Sequence, residues 1–386
     1  MNGHCEKPTI VIIENAVDPT GSLFSILRSS SQLRSIFEFM FLLPKSGRAS
    51  DIVKSHGFRL QILPMAELRR SLWSTVGYPI VLILNTCRYW RLARSMRIDL
   101  SVNNDFYNLI LPLAAIFGLR VPYVCFVRFM PSKFPKPLVW LWCKLQLRYA
   151  ARVIAVSEAV KRELPGSDKI VVVYNELPEQ SVSFIPSDDS TMILYPANYI
   201  PGKGQEFALE AFCQIHKKFP QWRLRFVGGD MGLEKNRNFR ASLIKRSKEL
   251  ECADLVEWLD FSADLRKHYL EAAFVLNFSD SESFSLTTLE ALYHGRTSIA
   301  TRCGGPEEII RDHDTGILVP VGNVVAMANA MEHLMSDSNH RTNMGKSAYV
   351  DVRRRFSVEN TVQRLSAIYT ETIATASNVK GARSKI

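Results

Sequence analysis

Short runs of apolar residues recur along the whole chain, and between them the apolar positions follow a helical period. The first run is Thr9–Ile13, and Gln205–Phe219 is one of the stretches whose apolar residues share a helix face. Continuous apolar runs are typical of strands buried on both faces of a parallel sheet. Because such runs alternate with amphipathic helices, the pattern predicts an α/β protein with parallel sheets.

The predicted strands fall into two groups separated by a polar segment. The segment Glu176–Ser190 holds two prolines and is expected to link two domains. The domains are expected over residues 1–180 and 181–356, followed by an amphipathic helix over 357–375 and a disordered tail over 376–386. The expected strands are 9–13, 35–43, 60–63, 80–84, 100–102, 123–127, 153–156 and 170–173, then 192–196, 223–227, 256–259, 273–278, 297–301 and 316–319.

Length and composition agree with two globular domains. The chain has 386 residues, of which 47% are hydrophobic, and this excludes a disordered protein. The seven cysteines are an odd number without a CxxC pair, so we expect buried thiols in a reducing compartment and no disulfide framework or zinc site. The longest apolar stretches, 78–84 and 109–119, are shorter than the roughly 20 residues that span a bilayer, so no transmembrane helix is expected.

The net charge of +10 is carried entirely by the first half. Residues 1–185 hold 23 basic and 13 acidic residues, whereas residues 186–386 hold 25 of each. Aromatic residues such as Trp90 and Trp140 lie among the basic ones. This region is either a solvated charged face or a peripheral anchor for an anionic membrane. Nucleic acid could use the same charge, but no nucleic-acid-binding motif accompanies it. The basic residues in question are Arg88, Arg91, Arg94, Arg97, Lys133, Lys136, Lys144, Arg148 and Arg152.

The densest group of chemically suggestive residues lies in the second half, around the turn Ser283–Ser285. A predicted strand ends just before this turn, and a predicted helix over 286–294 begins directly after it. Turn amides together with a helix N-terminus form an anion-binding site. Glu282 precedes the turn and Glu290 lies about two helical turns further on, so both carboxylates can face one ligand.

This segment resembles the Glu-x7-Glu signature of the retaining glycosyltransferases of family 4. The stretches 197–206, 224–230 and 303–316 are similar to three further elements of the family pattern. In the first half, residues 155–161 and 173–176 are similar to two more, although less specifically. The resemblance implies a GT-B fold, in which two Rossmann-like domains face a central cleft. It also implies that the helix over 357–375 crosses back to the first domain.

The resemblance implies a site for a nucleotide-diphosphate sugar. Lys203 would lie against the diphosphate, Glu282 would contact the donor sugar, and Glu290 would accept hydrogen bonds from the ribose. No metal or cofactor is expected, because protein cations and amides would stabilise the leaving diphosphate. The expected donor-binding residues are Gly21, Asn198, Lys203, Gly228, Phe284, Ser285, Leu286, Thr287 and Glu290.

The chain departs from the family pattern at several positions. Asn198 stands where the family usually has arginine, and Arg128 stands where it often has histidine. In one interpretation Arg128 replaces the missing cation and is catalytic, together with Glu282 and Lys203. In the other interpretation Arg128 is a basic rim residue or part of the membrane patch. Serines replace two glycines of the turn Ser283–Ser285, which is tolerable if this backbone keeps ordinary dihedral angles.

The combined prediction is a retaining, metal-independent hexosyltransferase that moves a sugar from a nucleotide-diphosphate donor to a glycan or lipid-linked acceptor. Its expected role is the biosynthesis of a surface or exported polysaccharide. The resemblance favours a cytoplasmic protein that is peripheral at the inner, anionic face of the membrane. Two alternatives stay open: another GT-B chemistry such as a nucleotide-sugar epimerase, and a catalytically weakened binding subunit of a glycan-assembly complex.

Overall fold

A computed structural model of the protein describes residues 6–65, 72–177, 183–186 and 189–383. The chain divides into two compact units. Unit 1 consists of residues 1–176 and 358–386, and unit 2 consists of residues 177–357. Residues 178–182 and 187–188 of the predicted linker Glu176–Ser190 lie outside the described residues.

In the described part of unit 1, seven strands form one parallel sheet in the order β3-β2-β1-β4-β5-β6-β7. The central strands carry apolar side chains on both faces because helices cover both sides of the sheet. The strands are β1 (Thr9–Ile13), β2 (Glu38–Leu43), β3 (Arg59–Ile62), β4 (Leu100–Asn103), β5 (Tyr123–Val127), β6 (Arg152–Ala155) and β7 (Ile170–Val172). The helices are α1 (Gly21–Gln32), α2 (Arg48–Ser55), α3 (Leu72–Ser95), α4 (Ile110–Ile116), α5 (Lys136–Tyr149) and α6 (Glu158–Arg162).

One predicted strand is wrong. The apolar run at residues 80–84 lies inside α3, and Ile80, Ile83 and Leu84 are exposed on the helix surface. The side chains that α3 buries include Asn85 and Tyr89, four positions apart, which is the spacing of one helix face. Continuous apolar composition predicts a buried strand, but this run is apolar without being buried.

In the described part of unit 2, six strands form a second parallel sheet in the order β10-β9-β8-β11-β12-β13. Its core lies between the sheet and the helices that include Phe212 and Leu334. The strands are β8 (Met192–Pro196), β9 (Arg223–Val227), β10 (Val256–Leu259), β11 (Phe274–Asn277), β12 (Ser298–Thr301) and β13 (Gly316–Val319). The helices are α7 (Gln205–Ile215), α8 (Glu234–Glu249), α9 (Arg266–Glu271), α10 (Leu286–Tyr293), α11 (Gly305–Ile309), α12 (Val324–Ser336) and α13 (Ser338–Arg355).

The last helix, α14 (Val358–Arg383), belongs to unit 1. Tyr369 is buried and packs edge-on against Phe37, with 6.0 Å between the ring centroids. The Thr361 hydroxyl donates a hydrogen bond to the carbonyl of Tyr174. The helix continues to Arg383, so the prediction of a disordered tail from residue 376 is wrong for the described part of that segment.

The cysteines also correct the sequence analysis. Cys213 of α7 and Cys252, which follows α8, form a disulfide with a Cα–Cα distance of 5.9 Å. The two cysteines are 39 positions apart, and the packing of α7 against α8 brings them together. A search for closely spaced pairs could not find this bond. Within the described ranges, no helix is both long enough and apolar enough to cross a membrane.

Candidate active site

The order of strands in unit 2 reverses between β8 and β11, which are neighbours in the sheet. The carboxyl ends of two such strands leave a crevice in which ligands of α/β proteins bind. The loop that follows β8 carries Lys203, and the loop that follows β11 carries Glu282. The sheet therefore brings together two residues that are 79 positions apart in the sequence.

Glycines allow these two loops to touch. Gly204 adopts a left-handed backbone with φ of +77°, and a Cβ atom there would lie 2.0 Å from the carbonyl oxygen of Phe278. The amide of Asp280 donates to the carbonyl of Gly202 at 3.0 Å. The Tyr195 hydroxyl links both loops, since it accepts from the Phe278 amide and donates to the Lys203 carbonyl.

Lys203 and Glu282 form an ion pair in this crevice. Lys203 Nζ lies 2.7 Å from Glu282 Oε1, and the Ser279 hydroxyl donates to the same oxygen at 2.8 Å. The side chains are 32% and 15% exposed, so a ligand can still reach both charges. The pair offers a cation for an anionic group and, beside it, a carboxylate that can accept hydrogen bonds from hydroxyls.

The turn before α10 is held in an unusual conformation. Ser285 has φ of +83°, so the condition of ordinary dihedral angles that the sequence analysis set is not met. Its hydroxyl accepts hydrogen bonds from Asn277 Nδ2 at 2.7 Å and from the Thr288 amide at 3.4 Å. These bonds offset a backbone strain of about 1 kcal/mol or more, and they cap the helix.

The other residues expected in this turn have partly structural roles. Phe284 is buried, and its ring packs edge-on against Phe356 at 5.6 Å. The backbone of Phe284 lies close to Gly305. A Cβ atom at Gly305 would lie 2.2 Å from the Phe284 Cα. Leu286 and Thr287 form the first turn of α10 and are half-buried. The turn before α10 is thus held in place by its packing against Phe356 and Gly305.

Glu290 lies on α10, where Tyr269 of α9 supports it. The Tyr269 hydroxyl is 3.4 Å from Glu290 Oε2 and donates to the Thr287 carbonyl at 3.2 Å. His294 stacks on the Tyr269 ring at 5.1 Å, and burial lowers the pKa of this histidine. The half-buried Glu290 carboxylate is thereby held against a rigid aromatic pair.

Asn198 and Gly228 connect the loops that follow β8 and β9. Asn198 Oδ1 accepts a hydrogen bond from the Gly229 amide at 2.9 Å. A Cβ at Gly228 would lie 2.0 Å from the Ala197 carbonyl oxygen, so this position requires glycine for backbone packing. Asn198 therefore holds the loop in its conformation. Its side chain is uncharged, so it does not replace the positive charge of the arginine that the family usually has at this position.

Arg128 lies at the carboxyl edge of the unit 1 sheet, after β5. Its guanidinium donates to Asn104 Oδ1 at 2.8 Å, to Asn175 Oδ1 at 2.9 Å and to the Ser25 hydroxyl at 3.2 Å. Burial lowers its pKa, while the charges of Glu14 and other nearby acids oppose that effect. Arg128 is therefore the centre of a polar network that joins four segments of unit 1.

Carboxyl groups surround this arginine. Glu14 is 1% exposed, accepts from the Ala16 amide at 2.8 Å and also accepts from Asn104. Burial, together with the negative charge of Asp105, raises the pKa of Glu14 to about 8. Burial likewise raises the pKa of Glu176 to about 7. The network thus holds acids that burial shifts toward the neutral form.

Sequence reasoning missed the residues that support the expected ones. Ser279, Tyr269 and Asn277 were not expected to contact Glu282, Glu290 and Ser285, because none of these contacts follows a motif. The expected residue Gly21 begins α1 in unit 1, and its role in donor binding stays a prediction. Within the described residues, no group of three or more His, Cys, Asp or Glu side chains could hold a metal ion.

Two family models match the chain. Residues 178–351 match the model of glycosyl transferases group 1, and residues 66–176 match the model of glycosyltransferase family 4. Together the matched ranges make up most of the chain. The chain belongs to this family of glycosyltransferases. The assignment to glycosyltransferase family 4 made from the sequence motifs is thereby confirmed, whereas the retaining reaction stays a prediction.

Solved structures of other proteins share the fold of this glycosyltransferase. Anabaena HepE, solved in complex with UDP and glucose, matches with a TM-score of 0.80 and 19% identity over 94% of this chain and 99% of HepE. The sucrose-phosphate synthase of Thermosynechococcus elongatus matches with a TM-score of 0.79 and 17% identity over 96% of this chain and 100% of that one. The GT-B fold predicted from the sequence is confirmed.

Curated relatives of this glycosyltransferase are similar over shorter stretches. An exopolysaccharide phosphotransferase of Streptomyces coelicolor is 28% identical over 58% of this chain and 23% of its own length. The N-acetyl-alpha-D-glucosaminyl L-malate synthase of Bacillus anthracis is 25% identical over 55% of this chain and 54% of its own length. A D-inositol 3-phosphate glycosyltransferase of Corynebacterium glutamicum is 31% identical over 47% of this chain and 43% of its own length. The chain thus spans about half or less of these relatives.

Proposed function

We propose that the protein is a retaining glycosyltransferase that transfers a hexose from a nucleotide-diphosphate sugar without a metal ion. The observation that carries this proposal is the ion pair of Lys203 and Glu282 next to the N-terminus of α10. A half-exposed cation and helix amides suit a diphosphate, and the adjacent carboxylate suits sugar hydroxyls. The complex of the structural neighbour HepE with UDP supports the same class of donor.

In this proposal each residue has one role. Lys203 compensates the charge that develops on the diphosphate as the bond to the sugar breaks. Glu290 accepts hydrogen bonds from the ribose hydroxyls, held in place by Tyr269. Glu282 orients the donor sugar. Because its Oε1 already accepts two hydrogen bonds, Glu282 is a poor nucleophile, which favours direct displacement. In that step the acceptor oxygen bonds to the anomeric carbon on the face from which the diphosphate leaves, the bond from sugar to diphosphate breaks, and the departing diphosphate takes the proton of the acceptor hydroxyl.

The acceptor in this proposal is a glycan or a lipid-linked glycan of a surface or exported polysaccharide. The similarity to an exopolysaccharide phosphotransferase supports this pathway class. The net charge of +10 supports a reaction at the anionic inner face of a membrane.

The test is a thermal-shift screen of nucleotide-diphosphate sugars with the wild type and the Glu290→Ala variant. We expect at least one donor to raise the unfolding temperature of the wild type, and Glu290→Ala to lose most of that shift. Glu359→Ala, an exposed glutamate of α14, is the matched control. NMR of the product formed with the accepted donor then gives the anomeric configuration.

Three outcomes would contradict the proposal. Inversion of the anomeric centre would exclude a retaining reaction. Epimerisation of the donor without an acceptor would assign another chemistry to the same fold. Failure of all nucleotide-diphosphate sugars to bind would favour a glycan-assembly subunit without transferase activity.

A further inference from the structure

Two helices of unit 1 present apolar side chains to solvent, and each continues into a row of cations. On α3 the exposed side chains at positions 80, 83, 84, 87, 88, 91 and 94 recur at intervals of one, three or four, which places them on one face. The first four are apolar or thiol and the last three are arginines. On α5 the exposed apolar residues Leu138, Trp140 and Leu141 precede the exposed Lys144 and Arg148, and a further exposed cation, Lys136, begins the helix.

The exposed face of α3 is distinct from the face that packs on unit 1. Tyr89 is 1% exposed, and its hydroxyl lies 2.5 Å from the hydroxyl of Ser101. Asn85 is also buried and donates to the Pro64 carbonyl at 2.6 Å. One face of α3, which includes Asn85 and Tyr89, is therefore buried against unit 1, whereas Ile80 on the opposite face is 62% exposed. Ile83 and Leu84 are exposed beside it, and a contiguous group of exposed apolar side chains is typical of an interaction surface.

Topology places α3 and α5 on either side of α4, whose exposed apolar residues Ile116 and Phe117 lie between the two rows. α3 packs against α4, and α4 packs against α5. Each of these helices connects two strands of a parallel sheet, so all three run in the same direction, antiparallel to the strands. The apolar halves of α3 and α5 therefore lie toward the carboxyl edge of the sheet, and the cationic halves lie toward the amino edge.

The charge of this region has one sign. Residues 72–152 hold eleven lysines and arginines but only Asp99 and Asp105 as acids. Asp99 is paired with Arg97 at 2.9 Å, and Asp105 accepts a hydrogen bond from the Asn15 amide. Neither acid is exposed. The surface that α3 and α5 present is thus cationic, with an apolar end.

We infer that the α3–α5 face, meaning the exposed residues of these two helices, docks onto an anionic lipid bilayer. Tryptophan, leucine and isoleucine enter the headgroup region, while the arginine and lysine rows meet lipid phosphates. A soluble polyanion such as RNA would use the cations but would leave Ile80 and Trp140 in water, so the apolar half favours the bilayer. Docking by this face deepens the proposed function, because it brings the carboxyl edge of unit 1 toward a membrane-borne acceptor.

Vesicle co-sedimentation of the full chain tests the cations. We expect binding to phosphatidylcholine vesicles that contain phosphatidylglycerol, and none to phosphatidylcholine alone. Because each cation near a charged bilayer changes partitioning about fivefold, the variant R88Q/R91Q/R94Q should bind about 100-fold more weakly. The matched control K217Q/K245Q/K267Q removes three cations of unit 2 that are at least 78% exposed, and it should bind like the wild type.

A second pair of variants tests the apolar half. Ile80→Ser combined with Trp140→Ser should weaken binding at least tenfold, because both side chains lose their burial in the headgroup region. The control is Val325→Ser combined with Val350→Ser, since these valines of unit 2 are 63% and 62% exposed. It should leave binding unchanged. Equal binding of the wild type and the Ile80/Trp140 variant would overturn the inference in favour of a polyanion site.

Cys87 offers a probe of the face itself. It is exposed on α3, whereas the other free cysteines of the described chain are buried. An environment-sensitive fluorophore on Cys87, in a chain with Cys5→Ser, should shift its emission to the blue on the anionic vesicles. A label that stays in water during binding would overturn docking by this face. A nucleotide-sugar donor should raise the unfolding temperature of these variants as much as that of the wild type. If no donor shifts the unfolding temperature of the wild type, the proposed function fails while docking to the bilayer stands.

Discussion

The two sheets share one parallel construction, yet their carboxyl edges are built differently. In unit 2 the edge holds an ion pair, Lys203 with Glu282, that a ligand can reach. In unit 1 the corresponding edge holds Arg128 among side chains that already satisfy it, and Glu14 beside it is buried. In unit 2 the charged side chains can therefore contact a ligand, whereas in unit 1 the charged side chains contact other buried groups of the protein.

The difference bears on the two interpretations of Arg128. A cation that compensates a leaving diphosphate has to be free to change partners, and Arg128 already has three hydrogen-bond acceptors. The geometry therefore favours Arg128 as a residue that positions the edge of unit 1, and Lys203 as the cation of the reaction. The predictions below test this division of roles.

Removing the Lys203 charge should have the largest effect. We expect Lys203→Ala to lower turnover by roughly 100- to 1,000-fold, because a preorganised charge at the leaving group is lost. Stability should change little, since the pair is partly exposed. Steady-state kinetics with the accepted donor measure the effect, and Lys217→Ala, an exposed lysine of unit 2, is the control. Turnover within about threefold of the wild type would remove Lys203 from the site.

Removing Arg128 should mainly cost stability. Arg128→Ala leaves Asn104, Asn175 and Ser25 without their shared donor and removes the positive charge near the buried carboxyl groups, which costs about 2–3 kcal/mol. We expect the unfolding temperature of unit 1 to fall by roughly 5–10 °C. Hydrogen exchange at the carboxyl edge of the sheet locates the loss, and Arg120→Ala, an exposed arginine, is the control. A normal unfolding temperature combined with a large loss of turnover would instead make Arg128 catalytic.

Much of the fold could be predicted because buried parallel strands are continuous apolar runs. The run at residues 80–84 was predicted as a strand because its exposed side chains are as apolar as buried ones. The disulfide of Cys213 and Cys252 depends on how α7 packs against α8, which no local pattern encodes.

The site could be predicted only where a motif carries it. Lys203, Glu282 and Glu290 stand in recognisable spacings, and the structure brings the first two into contact. The network of Glu14 and Arg128 joins segments that are up to 150 residues apart, so no local spacing of residues identifies it. The dihedral angles of Ser285 depend on a hydrogen bond from Asn277, which is a tertiary contact.

Two substitutions at Ser285 should separate backbone strain from hydrogen bonding. Ser285→Ala keeps the strained φ but loses the cap and the bond to Asn277, so we expect donor affinity to fall about tenfold. Ser285→Gly relieves the strain while losing the same bonds, and its affinity should fall less. Titration of the donor by calorimetry measures both. Equal affinities of the two variants would show that the left-handed backbone imposes no cost on alanine.

The smallest expected effect is a change in the pH dependence of stability. Burial and the charge of Asp105 raise the pKa of Glu14 from its ordinary 4.5 to about 8 in the folded protein, although Arg128 opposes them. The folded state therefore binds the proton more tightly than the unfolded chain, and this group's contribution to stability is present below pH 4.5 and is lost as the pH rises through 8.

Glu14→Gln mimics the protonated form of Glu14 and should flatten this loss of stability. We expect the unfolding temperature of the variant, relative to the wild type, to rise by a few degrees between pH 5 and pH 8.5, as measured by calorimetry. Glu359→Gln, an exposed carboxylate, should show no such rise. Parallel pH curves for Glu14→Gln and the wild type would mean that Glu14 is charged throughout, and the edge of unit 1 would then hold available charge much as the edge of unit 2 does.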